Sequence, residues 1–136
     1  MIEALRLVFI ASLFGGMIFF ASGVAPTVFK ALSKDDARVF LRTIFPSYYL
    51  FIILTAGAAA LLSFQHVWDA VGLGFVAFST LIVRQIAVPQ INRWRDAGEA
   101  GDEPAAKRFA AGHRFTVVLN LVQLLIVGGI LWNSAA

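Results

Sequence analysis

Apolar residues in this chain gather into four long runs, and the polar residues fall between the runs instead of alternating within them. The runs are Leu5 to Ala25, Tyr48 to Phe64, Trp68 to Val88 and Phe115 to Trp132. An α-helix rises about 1.5 Å per residue, so the first run alone extends about 31 Å, enough to cross the hydrocarbon core of a bilayer. The pattern predicts four transmembrane helices. Only Gln65, His66 and Val67 part the second run from the third, which forces those two helices to pack side by side and antiparallel. The first run reads as a mature helix rather than a cleaved leader, because Pro26 would sit at the cleavage point and Lys30 and Lys34 follow.

The links carry patterns of their own. Ser33-Lys34-Asp35-Asp36 reads as a capping box, and Ala37, Phe40, Leu41, Ile44 and Phe45 recur at helical spacing. This predicts a short amphipathic helix at the headgroup boundary, ended where Pro46 turns the chain into the second span. Tyr48 and Tyr49 begin that span, where amphipathic rings favour the headgroup level. The link from Asp96 to Glu103 is polar, acidic and glycine-containing, and Pro104 suits a first helical turn, so the last helix is expected to start near Pro104.

Composition fixes the solvent: 60% of residues are hydrophobic, 14% are charged and the mean hydropathy is +0.82, values of a chain built for lipid. The 136 residues leave room for one all-α transmembrane domain and no second unit. Cysteine is absent, which excludes disulfides, thiolate metal sites and cysteine nucleophiles. No dinucleotide fingerprint, P-loop, HExxH or intramembrane carboxylate pair is present, so no enzyme class is indicated. Every Lys and Arg except Arg6 lies in or beside the two long links. The positive-inside rule then places those links in the cytoplasm and both termini outside, in a cell inner (cytoplasmic) membrane. The net charge of +3 is accounted for by that topology and by anionic headgroups as partners; nucleic acid binding is not indicated.

"VAPTVFK" from Val24 to Lys30 has an echo in "AVPQINR" from Ala87 to Arg93. Aligning Pro26 with Pro89 sets Val28 on Ile91 and Lys30 on Arg93, and Ala-x-x-Phe follows in both halves, at Ala37 to Phe40 and Ala106 to Phe109. The halves read as a parallel duplication of a helix pair, an arrangement some transporters use with their sites between the repeats. The other reading is convergent use of proline and a basic residue at helix ends. Each proline frees a carbonyl four residues earlier, at Ser22 and Gln85, unless the helices simply end at Ala25 and Val88.

Candidate chemistry concentrates in the fourth run. His113, Thr116, Asn120 and Gln123 share one helical face, and unpaired amides in hydrocarbon cost several kcal/mol, so this face bonds to other helices or lines a cavity. With Arg84, Gln85 and Asn92 it forms a candidate polar pocket for a small molecule or lipid, although the Arg84 head also suits snorkelling to the headgroups. No cofactor is predicted. The alternative is a membrane redox protein holding haem or a quinone; haem would need an axial ligand, for which only His113 lies near a helix interior, since His66 sits in the opposite loop. Close-packing faces at Ser12, Gly15, Gly16, Phe19, Ser22 and Gly23, and at Gly57 to Ala60, serve the bundle, a second copy or a membrane-protein partner, as in an accessory or assembly role.

"FPSY", comprising Phe45, Pro46 and Tyr48 around Ser47, and "FAAGHRFTVVLNL", with Phe109, His113, Thr116 and Asn120, resemble the transmembrane protein 205-like family, also known as domain of unknown function 4149. The Pro26 exit and the region of Asn92 and Asp96 fit the same likeness, which covers nearly the whole chain. Thr116 stands where serine is more usual, keeping the hydroxyl. The resemblance implies a small four-helix membrane protein without an agreed activity.

Overall fold

The computed structural model describes residues 1–135. Among them there are helices and no strands. Helix α1 (Ile2–Phe19) continues through a π-helical turn (Phe20–Val24) into α2 (Ala25–Ala31), and α3 (Lys34–Leu62) returns. Helix α4 (Val67–Ile82) continues through a second π-helical turn (Val83–Ala87) into α5 (Val88–Glu99), and α6 (Glu103–Ala135) returns. The chain thus forms four rods, each long and apolar enough to cross a membrane. One end of the bundle carries the two basic links. The other carries the N-terminus, the end of α6 and the turn from Ser63 to His66.

The two prolines do not end their helices, contrary to one sequence reading. A proline removes one N–H from the ladder, and in lipid nothing outside the protein replaces the lost bond. The chain responds by widening the turn just ahead of each proline. The Ala25 N–H donates to the Phe20 carbonyl and the Val88 N–H to the Val83 carbonyl, five residues back in both cases. The Ser22 hydroxyl adds a bond to the Ile18 carbonyl at 2.7 Å. Beyond each widened turn the helix resumes.

The amphipathic stretch after Ser33 is helical, as its pattern requires, but it runs unbroken through Pro46 into the second span. Ser33 caps it: its hydroxyl accepts from the Asp36 N–H at 3.1 Å and donates to the Asp36 carboxylate at 2.6 Å. Asp102 plays the same part for α6, accepting from the Ala105 N–H at 3.0 Å. Before it, Gly101 takes a φ of 104°, a left-handed conformation that explains a glycine at this tight turn.

The duplication is written into the packing. The buried residues of the first rod are Arg6, Ile10, Leu13, Met17, Phe20 and Val28; those of the third are Leu73, Val76, Thr80, Val83 and Ile91. Ile10 matches Leu73, Leu13 matches Val76, Met17 matches Thr80, Phe20 matches Val83 and Val28 matches Ile91, each 63 positions apart, the spacing of Pro26 and Pro89. Around the bundle α1 packs on α3 and α6, and α4 packs on α3 and α6, so α1 and α4 stand on a diagonal. Their matched residues Arg6 and Asp69 meet across it, at 3.0 Å, on the end that holds the termini.

The core is narrow and made of Ile10, Leu13 and Met17 from α1, Ile52, Ala56 and Ala59 from α3, Leu73 and Val76 from α4, and Val127 and Ile130 from α6. Large residues such as Leu61, Phe78 and Leu125 face outward, which leaves the rods apolar all round, as lipid requires.

Candidate functional site

Above the π-helical turns the rods interlock through the core. Below them α2 rests on α3 and α5 on α6, while α2 and α6 part. The space between is a cavity of about 440 Å³ at the basic end, walled by all four rods. Its α3 wall includes Phe45, Pro46 and Tyr48, and its α6 wall includes Phe109, His113, Thr116 and Asn120. Two stretches of sequence more than fifty residues apart therefore close on one space.

Aromatic rings from three rods contribute to the apolar lining. Tyr48 stacks on Phe20 with centroids 4.0 Å apart and planes 16° from parallel, and Tyr49 stacks on Phe45 at 5.5 Å. Tyr48 is 8% exposed and both tyrosine rings turn into the bundle, packing against Phe20 and Phe45. The Tyr48 hydroxyl is buried and has no hydrogen-bond partner. The Asn120 amide faces it without reaching bonding geometry. A buried hydroxyl left unpaired costs about 1–3 kcal/mol, and the facing Asn120 amide is the group placed to answer it.

The basic rim is partly neutralised. Arg42 pairs with Asp96, and Arg38 with Glu99 and, at 3.6 Å, with Asp35, which ties α3 to α5 on one side of the cavity. The Arg42 Nε–H is nonetheless buried and unpartnered. Arg95 lies over the Phe109 ring at 4.8 Å, and among the described residues no carboxylate pairs with it. His113 stacks on the same phenyl ring, centroid to centroid 5.9 Å, and the Thr116 hydroxyl donates to the His113 carbonyl at 2.8 Å.

Of the sequence-predicted pocket residues, Asn92, His113, Thr116 and Asn120 line the cavity. Gln123 does not: it is buried one turn higher, donating to the hydroxyls of Ser79 at 2.8 Å and Thr80 at 3.1 Å, and so joins α6 to α4. Gln85 is exposed on the outside of the second π-helical turn. Arg84 also lies off the cavity, its Nε donating to the Pro46 carbonyl at 3.3 Å. Pro26 and Pro89 shape the walls from outside, through the turns ahead of them.

Sequence reasoning missed Arg42 and Arg95 as site residues, counting them only as topology signals. Helical spacing held the clue: Arg42, Phe45 and Tyr49 share one face of α3, and Val88, Asn92 and Arg95 share one face of α5. It also missed a cluster at the other end, where the 3%-exposed Arg6 donates to Glu3 at 2.9 Å, Asp69 at 3.0 Å and Ser134 at 3.1 Å. His66 lies 3.2 Å from the other oxygen of Glu3, so the two histidines occupy opposite ends of the bundle. Among the described residues no group of three His, Asp or Glu side chains is gathered to hold a metal ion.

A family model described as Domain of unknown function (DUF4149) matches residues 8–100, which takes in the first three rods and their links. No curated protein matches the chain. No solved structure matches it.

Proposed function

From the premise that the chain belongs to the DUF4149 family, whose description names no activity, we propose that it is an intramembrane binding protein for a small amphiphilic molecule held in the cavity at the basic end. The observation that carries this reading is a cavity walled by all four rods on which both family-like motif stretches converge. A volume of about 440 Å³, apolar walls and a few converging polar groups match the usual character of small-molecule sites. Holding the basic links inside, as the positive-inside rule implies, sets the mouth of the cavity at the cytoplasmic leaflet of the inner membrane. Within its family the chain groups, on this reading, with the transmembrane protein 205-like proteins, through "FPSY" and the residues from Phe109 to Leu121.

The test is extraction in a mild detergent followed by native mass spectrometry of the wild type and of Ala25→Phe, which fills the cavity from its α2 wall. The wild type is expected to carry a bound small molecule or lipid that the variant lacks. Identical spectra from the two proteins, or a wild type free of any adduct, would contradict the proposal.

A further inference from the structure

Resting on the cavity reading above, we infer that the occupant is an anionic amphiphile with a single acyl chain, which enters sideways from the bilayer between α2 and α6. Its carboxylate or phosphate head is received by Arg95 and Arg42.

Three features lead there. The first is charge. Asp96 and Glu99 are engaged by Arg42 and Arg38, which leaves Arg95 as the cavity cation without a carboxylate, held in place over Phe109. Arg42, whose side chain is 35% exposed and also lines the cavity, adds positive charge beside it. A guanidinium against a carboxylate or phosphate is the pairing that best uses such donors. A neutral ligand would leave them unanswered.

The second feature is the entrance. The ion pairs of Arg38 and Arg42 close the α3–α5 side, whereas Phe29 and Val117, which line the cavity from α2 and α6, are 67% and 53% exposed. Residues that face both a cavity and the outer surface mark an opening, and this one lies between two apolar rods, so it opens on acyl chains. The third is size. About 440 Å³ encloses one acyl chain, and the second chain of a diacyl lipid finds no room inside. The chain then lies among Phe20, Phe45 and Tyr49, with the Tyr48 hydroxyl and Asn120 within the same space.

The test compares four probes on the purified full chain in a neutral detergent, by titration of thermal stability and by native mass spectrometry. Oleate and oleoyl lysophosphatidate share the anionic head on one chain; oleyl alcohol has the chain without the charge, and dioleoyl phosphatidate has the charge with two chains. Both single-chain anions are expected to bind at least about tenfold more tightly than oleyl alcohol, the margin a charge-assisted hydrogen bond supplies. The tighter of the two identifies the head as carboxylate or phosphate. Arg95→Gln should erase that margin, and Arg95→Lys should retain most of it. Val117→Trp should slow uptake of oleate.

If oleyl alcohol matches oleate on the wild type, or Arg95→Gln keeps the margin, the anionic head is wrong and the cavity reading stands. If dioleoyl phosphatidate binds as well as oleate, the single chain is wrong. If no probe binds, oleyl alcohol included, both readings fall.

Discussion

Tyr48→Phe removes one oxygen and separates a ligand site from a helix–helix contact. The ring is 8% exposed and stacked on Phe20 at 4.0 Å, and phenylalanine keeps both the volume and the stack. What changes is a buried hydroxyl without a partner. In the empty protein that hydroxyl costs about 1–3 kcal/mol, so its removal should leave stability unchanged or raise it by up to that amount. In the occupied protein the hydroxyl lies along the ligand's apolar chain, away from the head held at Arg95, so Tyr48→Phe should change oleate affinity by less than about twofold. Stability and affinity are thus separable. Thermal unfolding of both proteins in delipidated form, each with and without an oleate titration, measures the two quantities on one sample. A variant that is less stable when empty would refute the reasoning, because it would mean that the hydroxyl is bonded to another helix.

Gln123→Leu is expected to cost about 1 kcal/mol, from two interhelical bonds of modest worth in a membrane, and to leave oleate affinity unchanged; denaturation by SDS and the same titration check both. Gly98→Ala should destabilise by about 1–3 kcal/mol in the same SDS assay, because a Cβ there would stand 3.0 Å from the Ala106 Cα and force α5 from α6. A double-mutant cycle of Arg6→Ala and Asp69→Ala should return a coupling of about 1–3 kcal/mol, less than a fully buried pair because 23% of the Asp69 side chain remains exposed.

Much of the architecture was legible because lipid leaves few options. Four apolar runs, short links and the Ser33 cap determine rods, neighbours and helix starts, and the expected start of the last helix near Pro104 agrees with Glu103. The duplication showed at Pro26 and Pro89, and the matched pairs from Ile10–Leu73 to Val28–Ile91 extend it along both rods. Helix continuity past the prolines was legible only as one of two readings, since nothing in the sequence chooses between a widened turn and a helix end. The site was half legible. One helical face joined His113, Thr116 and Asn120, which line the cavity, but periodicity cannot tell at which height the rods part, so Gln123 fell among the cavity residues although it lies where α4 and α6 touch. Arg42 and Arg95 were hidden for the opposite reason. Their charge had an adequate explanation in topology, and their common destination depends on how α3 and α5 face each other.

The chain contains no cysteine, so a single introduced thiol reports on its own position. Thiol labelling of Asn120→Cys and Leu125→Cys by a membrane-permeant maleimide, with and without saturating oleate, tests whether the Asn120 face lines an occupied cavity. The account predicts that oleate protects the thiol of Asn120→Cys, whereas labelling of Leu125→Cys, at a position 67% exposed on the outer surface, does not change. Equal labelling of the two variants, indifferent to oleate, would contradict it.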